Sequence, residues 1–467
     1  MTTDTVNVRS LILDILIAVL EKGGYSHRVI GAVLEKYQYL DKKERAFLTR
    51  VSEGTIQRKI ELDYITDRFS KIKTEKMKPV IRNLLRMSVY QLRYMDSVPD
   101  SAVCNEAVKL AKKRGFTSLG GFVNGVLRSI AGHAGDISYP DETVDPVRAY
   151  SVRYSMPEWI VRQWMENYGA ARTVSMLEVS LTQAPFTIRT NLTRISSGAL
   201  RERLESEGIS AIPVQTGERG VRSGYPPLPY AFVLSGVDYP GRMASFAEGL
   251  FYVQDISSMV VAEWADPREG DYCIDVCAAP GGKSIHLAEK LCGTGHVLAR
   301  DLTPWKVEQI RENIERQQLR NITAECMDAT AHDKESEGKA DLVIADLPCS
   351  GLGVLRRKTD IRYRMSAEQQ EELAELQRRI LSNVCAFVKP GGKLIYSTCT
   401  VSRPENEDNV RWFTECHPEF VLTRMHQFFP EENAGDGFFL AECIRRKHVS
   451  GTADRDKMEN SDERGKI

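Results

Sequence analysis

The chain lacks the cysteine patterns that mark metal-binding or disulfide-stapled proteins. Its ten cysteines are scattered over 467 residues and include no CxxC pair. Cys273 and Cys277 are four residues apart, but they lie in an apolar, strand-like run without His or Cys partners at zinc spacing. We therefore expect no structural metal site, and in a chain of this size no disulfides.

Long apolar runs and a strong overall charge are also missing. Residues 11–20 are apolar but are interrupted by Asp14, and they have neither a basic leader nor a small-residue cleavage site. The net charge is -1, which argues against a protein that is basic all over. These features predict a cytoplasmic protein that does not cross a membrane, and nothing in the sequence indicates an obligate oligomer, so we expect a monomer.

The length suggests about three domains, and the residue patterns change in the corresponding places. Residues 1–135 carry apolar side chains at helical spacing, including one predicted helix over 48–66. Residues 136–241 begin in a linker rich in Gly, Asp and Pro and continue as a small α+β domain of the ferredoxin or RRM-like kind. Residues 242–446 alternate regularly between strands and helices, and the charged tail 447–467 lacks aromatics, so we expect it to be disordered.

Positive charge is concentrated in the helical part. Between residues 41 and 130 there are 19 Lys and Arg against 10 Asp and Glu. This surplus fits either a nucleic-acid footprint or an ordinary solvated helical surface. Four arginines of the second domain could contact phosphates, although a solvated role is the simpler reading for each: Arg189, Arg194, Arg201 and Arg203.

The alternation over 242–446 predicts a doubly wound, Rossmann-like sheet with mostly parallel strands. Carboxylates follow three of the predicted strands, namely Asp301, Asp328 and Asp346. In such sheets the carboxyl ends of the strands bind ligands, and an acidic side chain there can accept hydrogen bonds from ribose hydroxyls. The alternative is that one or two of these residues only cap the following helices.

The turn after the first of these strands is rich in small residues but matches neither GxGxxG nor GxxxxGK[ST]. A dinucleotide or a nucleoside triphosphate is therefore not the first choice of ligand. Small residues before a helix start still favour close approach of a ligand. Together with the carboxylates, this turn indicates a cationic, ribose-bearing cofactor such as S-adenosylmethionine.

A reaction centre is predicted at the end of the strand over residues 342–345. Asp346 ends it, Pro348 prevents its continuation, and Cys349 follows at the tip. A second thiol, Cys399, ends the strand over residues 393–398. Both could be small buried hydrophobes, but their positions beside polar residues favour chemistry. The residues alone do not say which thiol would act first.

Two sets of motifs resemble known families. The string LLRMSVYQLRYMDSVPDSAVCNEAVKLAKKRG, followed by FVNGVLRSI, is similar to the RNA-binding helical domain of the antitermination factor NusB. The strings DVCAAPGGKS, DLPCSG and YSTCTVSRPENE resemble the RNA cytosine-5 methyltransferases of the RsmB/Sun family, over residues 242–446.

The resemblance implies a methyltransferase that forms 5-methylcytosine in 16S ribosomal RNA, with RNA contacts from the NusB-like domain. It assigns the attack on cytosine C6 to Cys399, and it assigns resolution of the adduct to Cys349. A thiolate is needed for this attack, and nearby cations (Arg356, Arg357, Lys358 and Arg403) could favour it. Asp346 could also hold the edge of the cytosine. The implied cofactor contacts are Cys277, Ala278, Ala279, Pro280, Gly281, Gly282, Lys283, Asp301, Asp328 and Asp346.

Two other functions fit the same sequence. The substrate could be a transfer RNA, or the chain could be a non-catalytic RNA-binding factor for ribosome assembly. No expected reactive residue is missing, which argues against the second of these. A DNA substrate is disfavoured, because the DNA enzymes of comparable chemistry rely on one cysteine in the position of Cys349.

Overall fold

The computed structural model describes residues 6–133, 135–215, 225–431 and 435–447. Its N-terminal domain is a helical bundle around a core of Ile, Leu and Val side chains. The helices are α1 (Val8–Leu20), α2 (Ser26–Lys36), α3 (Lys42–Gln57), α4 (Lys59–Phe69), α5 (Pro79–Tyr94), α6 (Asp100–Lys113) and α7 (Gly120–Gly132). Helix α5 contacts α1, α3, α4, α6 and α7, so it is the central helix of the bundle.

The stretch of helical spacing over residues 48–66 is helical, as predicted, but it is divided between two helices because the chain bends at Arg58 between α3 and α4. Arg58 forms an ion pair with Glu61 at 2.6 Å. The N–H of Ile60, in the first turn of α4, donates to the hydroxyl of Ser155 at 2.8 Å. A side chain 95 residues away therefore supplies the cap, which periodicity alone does not predict.

The middle region combines the five helices given below with an antiparallel sheet of order β2-β3-β1-β4. Its last strand lies beyond residue 241, where the sequence placed the end of this domain. The elements are α8 (Pro146–Tyr154), α9 (Glu158–Tyr168), α10 (Ala170–Val179), β1 (Phe186–Thr190), α11 (Ser197–Ser206), β2 (Ser210–Pro213), β3 (Ala231–Ser235), α12 (Ala244–Ala247) and β4 (Phe251–Val253).

Three of the four arginines that the sequence suggested for phosphate contacts form ion pairs within the protein. Arg189 is 1% exposed and forms a buried ion pair with Glu289 of the next domain, so its predicted contact with phosphates is wrong. Arg201 pairs with Glu205 and Arg203 with Glu248 on the surface.

The C-terminal domain contains the predicted doubly wound sheet, with strand order β10-β11-β9-β8-β5-β6-β7. Its central strands are parallel, and β11 pairs antiparallel with β9 and β10. The strands β5, β6 and β7 are added in one direction across the sheet, and β8 and β9 are added on the other side of β5. The order of the strands therefore reverses between β5 and β8, and the carboxyl ends of these two parallel strands form the expected ligand crevice. The elements are α13 (Ile256–Ala265), β5 (Tyr272–Asp275), α14 (Gly282–Lys290), β6 (His296–Asp301), α15 (Pro304–Gln317), β7 (Ile322–Cys326), β8 (Ala340–Asp346), α16 (Ala367–Val384), β9 (Val388–Thr398), α17 (Glu407–Cys416), β10 (Phe420–Phe428) and β11 (Phe438–Arg445).

The N-terminal bundle packs directly against the segment that follows Cys349. The hydroxyl of Ser26 donates to the carboxylate of Asp360, and the hydroxyl of Tyr363 donates to the carbonyl of Gln57 at 2.8 Å. Among the described helices, none is both long and apolar enough to span a bilayer. Nearly all of the tail predicted to be disordered, residues 448–467, lies outside the described residues.

Candidate active site

The turn between β5 and α14 is held by hydrogen bonds to the neighbouring strand. The N–H of Ala278 donates to the carbonyl of Arg300 at 2.8 Å, and the N–H of Ala279 donates to the carboxylate of Asp301 at 3.0 Å. Gly281 precedes the helix with φ +105°, a left-handed conformation that favours glycine. The turn is therefore rigid, and it leaves the start of α14 facing the carboxyl edge of the sheet.

Beside this turn lies a cavity of about 190 Å³. Seven of the predicted cofactor residues line it: Cys277, Ala278, Ala279, Pro280, Gly282, Lys283 and Asp346. The remaining wall comes from residues that the sequence did not indicate, namely Tyr252, Val253, Gln254, Asp255, Ser258 and Asp275. Most of these belong to β4 and the turn after it, so the small sheet closes the cavity from one side.

Asp346 joins three elements at the bottom of the crevice. One carboxylate oxygen accepts a hydrogen bond from Lys283 Nζ at 2.7 Å, and the other accepts one from the hydroxyl of Ser397 at 2.7 Å. These contacts fix the carboxylate between α14, β8 and the end of β9.

The other two predicted carboxylates take different positions. Asp301 is almost fully buried and accepts hydrogen bonds from the N–H groups of Ala279 and Leu302 and from Lys306 Nζ. Asp328 is exposed, accepts from the N–H and hydroxyl of Thr330, and faces a separate small cleft beside the cavity. In this structure Asp301 anchors the turn, while Asp328 does not line the cavity that contains Asp346.

The cavity fits a cationic group that carries hydroxyls and an amine. Gln254 Nε2 and Asp275 Oδ1 line it and are buried without a hydrogen-bond partner. Burial raises the pKa of Asp275 to about 7, although Ser284 donates a hydrogen bond to it. The amide of Gln254 offers a hydrogen-bond donor, and the carboxylates of Asp275 and Asp346 offer acceptors, to a polar, positively charged ligand.

The two candidate thiols lie together at the ends of β8 and β9. The sulfur atoms of Cys349 and Cys399 are 3.3 Å apart, in hydrogen-bond contact and not in a disulfide. The N–H of Gly353 donates to the carbonyl of Cys399 at 3.1 Å, and the N–H of Gly437 donates to the carbonyl of Gly353 at 3.0 Å. The loop that carries Cys349 is thus held against the strand that carries Cys399.

Their surroundings make the two thiols unequal. The hydrogen bond from the Cys349 thiol lowers the pKa of Cys399, and the positive charges of Lys358 and Lys283 act in the same direction. The same hydrogen bond and burial raise the pKa of Cys349 well above its ordinary value. Cys399 is therefore the thiol that ionises first, with Cys349 as its hydrogen-bond donor.

Of the cations proposed from sequence to favour a thiolate, Lys358 is among the largest influences that lower the pKa of Cys399. Arg357 forms ion pairs with Asp255 and Asp436, each at 2.7 Å, and Arg356 donates to the carbonyl of Gly435. Arg403 forms a surface pair with Asp408. Lys283, which the sequence indicated only as a cofactor contact, is the second cation near Cys399.

A buried carboxylate that the sequence analysis did not single out supports both thiol segments. Glu405 accepts hydrogen bonds from the N–H and hydroxyl of Ser350, and from the side-chain amide of Gln377. It is fully buried, and burial raises its pKa. Glu405 lies within the YSTCTVSRPENE string, but nothing in that string separates a buried glutamate from a surface one.

Comparisons with known proteins match all three domains. Residues 262–444 match the family model 16S rRNA methyltransferase RsmB/F, and residues 6–132 match the NusB family. Residues 156–224 match the ferredoxin-like domain of RsmF/B-like methyltransferases. The probable ribosomal RNA small subunit methyltransferase B of Bacillus subtilis is 36% identical over 459 residues, which cover 94% of this chain and 99% of the relative. The chain belongs to the ribosomal RNA small subunit methyltransferase B family.

Other members and folds agree with this assignment. A probable ribosomal RNA small subunit methyltransferase B of Synechocystis is 29% identical over 93% of this chain and 99% of its own. The crystal structure of PH0851 has a TM-score of 0.78 at 23% identity, over 94% of this chain and 99% of its own. The predicted fold class is therefore confirmed: a NusB-like bundle, a small α/β domain and the Rossmann-like fold of S-adenosylmethionine-dependent methyltransferases.

The methyltransferase B family member shows no sign of a metal centre in the part of the chain that is described. Within residues 6–133, 135–215, 225–431 and 435–447, no three His, Cys, Asp or Glu side chains are grouped so that they could hold a metal ion.

Proposed function

We propose that this enzyme methylates C5 of a cytosine in 16S ribosomal RNA, using S-adenosylmethionine and a covalent adduct to Cys399. The observation that carries the proposal is the 3.3 Å contact between Cys399 and Cys349 beside Asp346 and the cofactor turn. Cytosine C5 is a weak nucleophile, so a methyltransferase that acts there benefits from a thiolate that first adds to C6.

Each side chain has a defined part in this scheme. Cys399 forms a bond to C6, which makes C5 nucleophilic, and the cofactor, when bound, supplies an electrophilic methyl group. After transfer, a base takes the C5 proton, the electron pair of that C–H bond re-forms the C5–C6 double bond, and the C6–sulfur bond breaks to release Cys399 as a thiolate. Cys349, whose sulfur lies 3.3 Å from that of Cys399, is proposed as this base: it gives up its thiol proton to solvent, and its thiolate then takes the C5 proton. Asp346 is proposed to hold the cytosine edge in addition to accepting the hydrogen bond of Lys283.

The residues proposed to bind the cofactor are those of the cavity and its supports. Cys277 through Lys283 form one wall, Asp346 forms the base, and Asp301 fixes the turn. Asp328 would contact the cofactor only from the neighbouring cleft. The crystal structure of NSun6 from Pyrococcus horikoshii, 22% identical over 62% of this chain and 98% of its own with a TM-score of 0.53, was determined with SFG. A protein of the same fold therefore takes up SFG, which supports the proposal of a cofactor for this chain.

The test is methyl transfer from labelled S-adenosylmethionine to purified 16S ribosomal RNA, followed by nucleoside analysis and bisulfite mapping. We expect label in 5-methylcytosine, and no transfer by the Cys399→Ala variant. If transfer RNA, assayed in parallel, is labelled and 16S ribosomal RNA is not, the substrate is transfer RNA. If the protein binds 16S ribosomal RNA but methylates neither RNA, it is an assembly factor. Asp346→Asn is expected to lose more activity than its weaker cofactor binding explains.

A further inference from the structure

Two exposed aromatic rings lie on either side of one arginine, at the junction of the NusB-like and methyltransferase domains. Tyr25, just before α2, is 49% exposed, and Trp305, in the first turn of α15, is 48% exposed. Arg28 of α2 lies near both, with its guanidinium carbon 5.5 Å from the Tyr25 ring centre and 5.1 Å from that of Trp305. A second arginine, Arg364, also lies over Tyr25, with its guanidinium carbon 4.3 Å from the centre of the ring. We call Tyr25, Arg28, Trp305, Lys358 and Arg364 the junction surface.

The junction surface is held in place from both sides. Ser26, next to Tyr25, donates to the carboxylate of Asp360, and Arg364 donates to the same carboxylate at 2.6 Å. Arg364 also donates to the carbonyl of Gly24. Since Asp360 is 2% exposed and doubly engaged, the aromatic rings are presented on a fixed base.

This surface lies close to the reaction centre. Trp305 follows Asp301 by four residues, and the next side chain, Lys306, contacts Asp301 at 2.9 Å. Asp301 in turn anchors the cofactor turn through Ala279. The exposed side chain of Lys358 acts electrostatically both on Cys399 and on His27 of α2, so it lies near the thiols and near the NusB-like domain.

We propose that the junction surface binds the single-stranded RNA next to the target cytosine, with bases stacked on Tyr25 and Trp305 and with Arg28 and Lys358 near the phosphates. The inference rests on the proposed function in one respect, that the substrate is RNA. Unpaired bases stack on aromatic and guanidinium planes, and cations along the path attract the backbone. Aromatic and arginine side chains are also common in protein interfaces, but the carboxylate that holds this surface together, Asp360, is buried and paired with Arg364, so the exposed groups of the surface are cations and rings, which favours a polyanion.

The junction surface also explains why the two domains are joined so firmly. A target base has to leave its stack to reach the thiols, and the cost is smallest when its neighbours are held open. Rings supplied by two domains can hold those neighbours only if the domains keep a fixed relation, which the Asp360 contacts provide.

The first test is photocrosslinking of the full chain to a 16S ribosomal RNA fragment transcribed with 5-iodouridine, in the presence of S-adenosylhomocysteine. We expect crosslinked peptides that contain Tyr25 or Trp305. By fluorescence anisotropy, Tyr25→Ala and Trp305→Ala are each expected to weaken binding of this fragment about tenfold. Tyr39→Ala is the matched control, because Tyr39 is 70% exposed on the same domain.

Conservative variants separate stacking from folding. Tyr25→Phe and Trp305→Phe keep a ring and are expected to bind RNA within about twofold of the wild type, whereas Arg28→Lys keeps the charge but loses the planar contact and weakens binding several-fold. Loss of binding in the Ala variants that the Phe variants do not restore would overturn the proposal.

Failure of this inference differs from failure of the proposed function, because the binding assays involve no chemistry. If the wild type forms 5-methylcytosine and the Ala variants bind and crosslink normally, the junction surface proposal is wrong and the methyltransferase proposal stands. If the wild type forms no 5-methylcytosine but the Ala variants bind RNA about tenfold more weakly, the surface proposal stands alone. Cofactor affinity, measured by calorimetry, is expected to be unchanged in all of these variants.

Discussion

Glu405 accepts the backbone N–H of Ser350 at 2.8 Å, so the segment after Cys399 holds the residue after Cys349. The two thiols follow different strands, and this buried carboxylate adds to the strand pairing that fixes their relative position. A buried acceptor that is removed leaves its donors unsatisfied, which costs more than the hydrogen bonds themselves contribute.

We therefore expect Glu405→Ala to lower the free energy of unfolding by about 1–3 kcal/mol and to reduce kcat at least tenfold. Glu405→Gln retains an oxygen acceptor and should keep most of the stability and most of the activity. Urea denaturation and single-turnover methyl transfer measure the two effects. Glu415→Ala, on the exposed face of α17, is the control and should leave both unchanged.

The division of labour between the thiols predicts a trapped intermediate. Cys399→Ala should abolish methyl transfer, whereas Cys349→Ala should accumulate an enzyme–RNA adduct that survives denaturing electrophoresis. Cys416→Ala changes an exposed thiol and should behave like the wild type. Normal turnover by the Cys349 variant, without an adduct, would show that the assigned roles are wrong.

The acidity of Cys399 can be measured without RNA. Because the Cys349 thiol donates to Cys399, its removal in Cys349→Ala should raise the pKa of Cys399 and slow its alkylation by iodoacetamide near pH 7. Cys349→Ser retains an O–H donor and should show a smaller rise. Lys283→Gln should also raise the pKa, because Lys283 is one of the two cations that favour the thiolate. Mass spectrometry of the Cys399 peptide over a pH series gives each midpoint, and identical midpoints in all variants would contradict this account.

The sequence predicts a site residue well when its neighbours in the chain fix its position, and poorly when contacts with distant residues do. Asp346 ends a strand because an apolar run stops and Pro348 follows, and both signals lie within a few residues. The electrostatic effect of Lys283 on Cys399 acts between residues 116 positions apart in the chain, and the spacing of residues in the sequence does not predict it. Tyr252 and Gln254 line the cavity because β4 joins the small sheet, and Arg189 is buried because Glu289 lies opposite it. Such pairings arise only from the packing of domains.

Asp275 predicts a pH dependence of stability. Its pKa is about 7 in the folded protein and about 3.9 in an unfolded chain, so the folded state binds the additional proton between these values. The protonated Asp275 contributes fully to the free energy of unfolding below about pH 4, and this contribution is lost as the pH rises through 7. Over that range the free energy of unfolding falls by up to about 1.4 kcal/mol per pH unit. Asp275→Asn should remove this slope, as measured by urea denaturation of the cofactor-free protein between pH 4 and 8. An unchanged slope would mean that Asp275 is ionised in the folded protein.

The close approach of three backbone segments beside the thiols predicts that Gly353 tolerates no side chain. A Cβ at this position would lie 1.9 Å from the carbonyl oxygen of Gly437 and 2.9 Å from that of Cys399, and backbone atoms cannot move aside cheaply. Gly353→Ala should therefore lower the free energy of unfolding by about 1–3 kcal/mol and disturb the alignment of Cys399 with Cys349. Gly198→Ala is the matched control, because its Cβ would enter open space on the exposed side of α11 and should be neutral or stabilising. Thermal unfolding and methyl transfer, measured on both variants, separate the two cases: if Gly353→Ala matched Gly198→Ala in both assays, the loop would not be held against Cys399 as tightly as the contacts indicate.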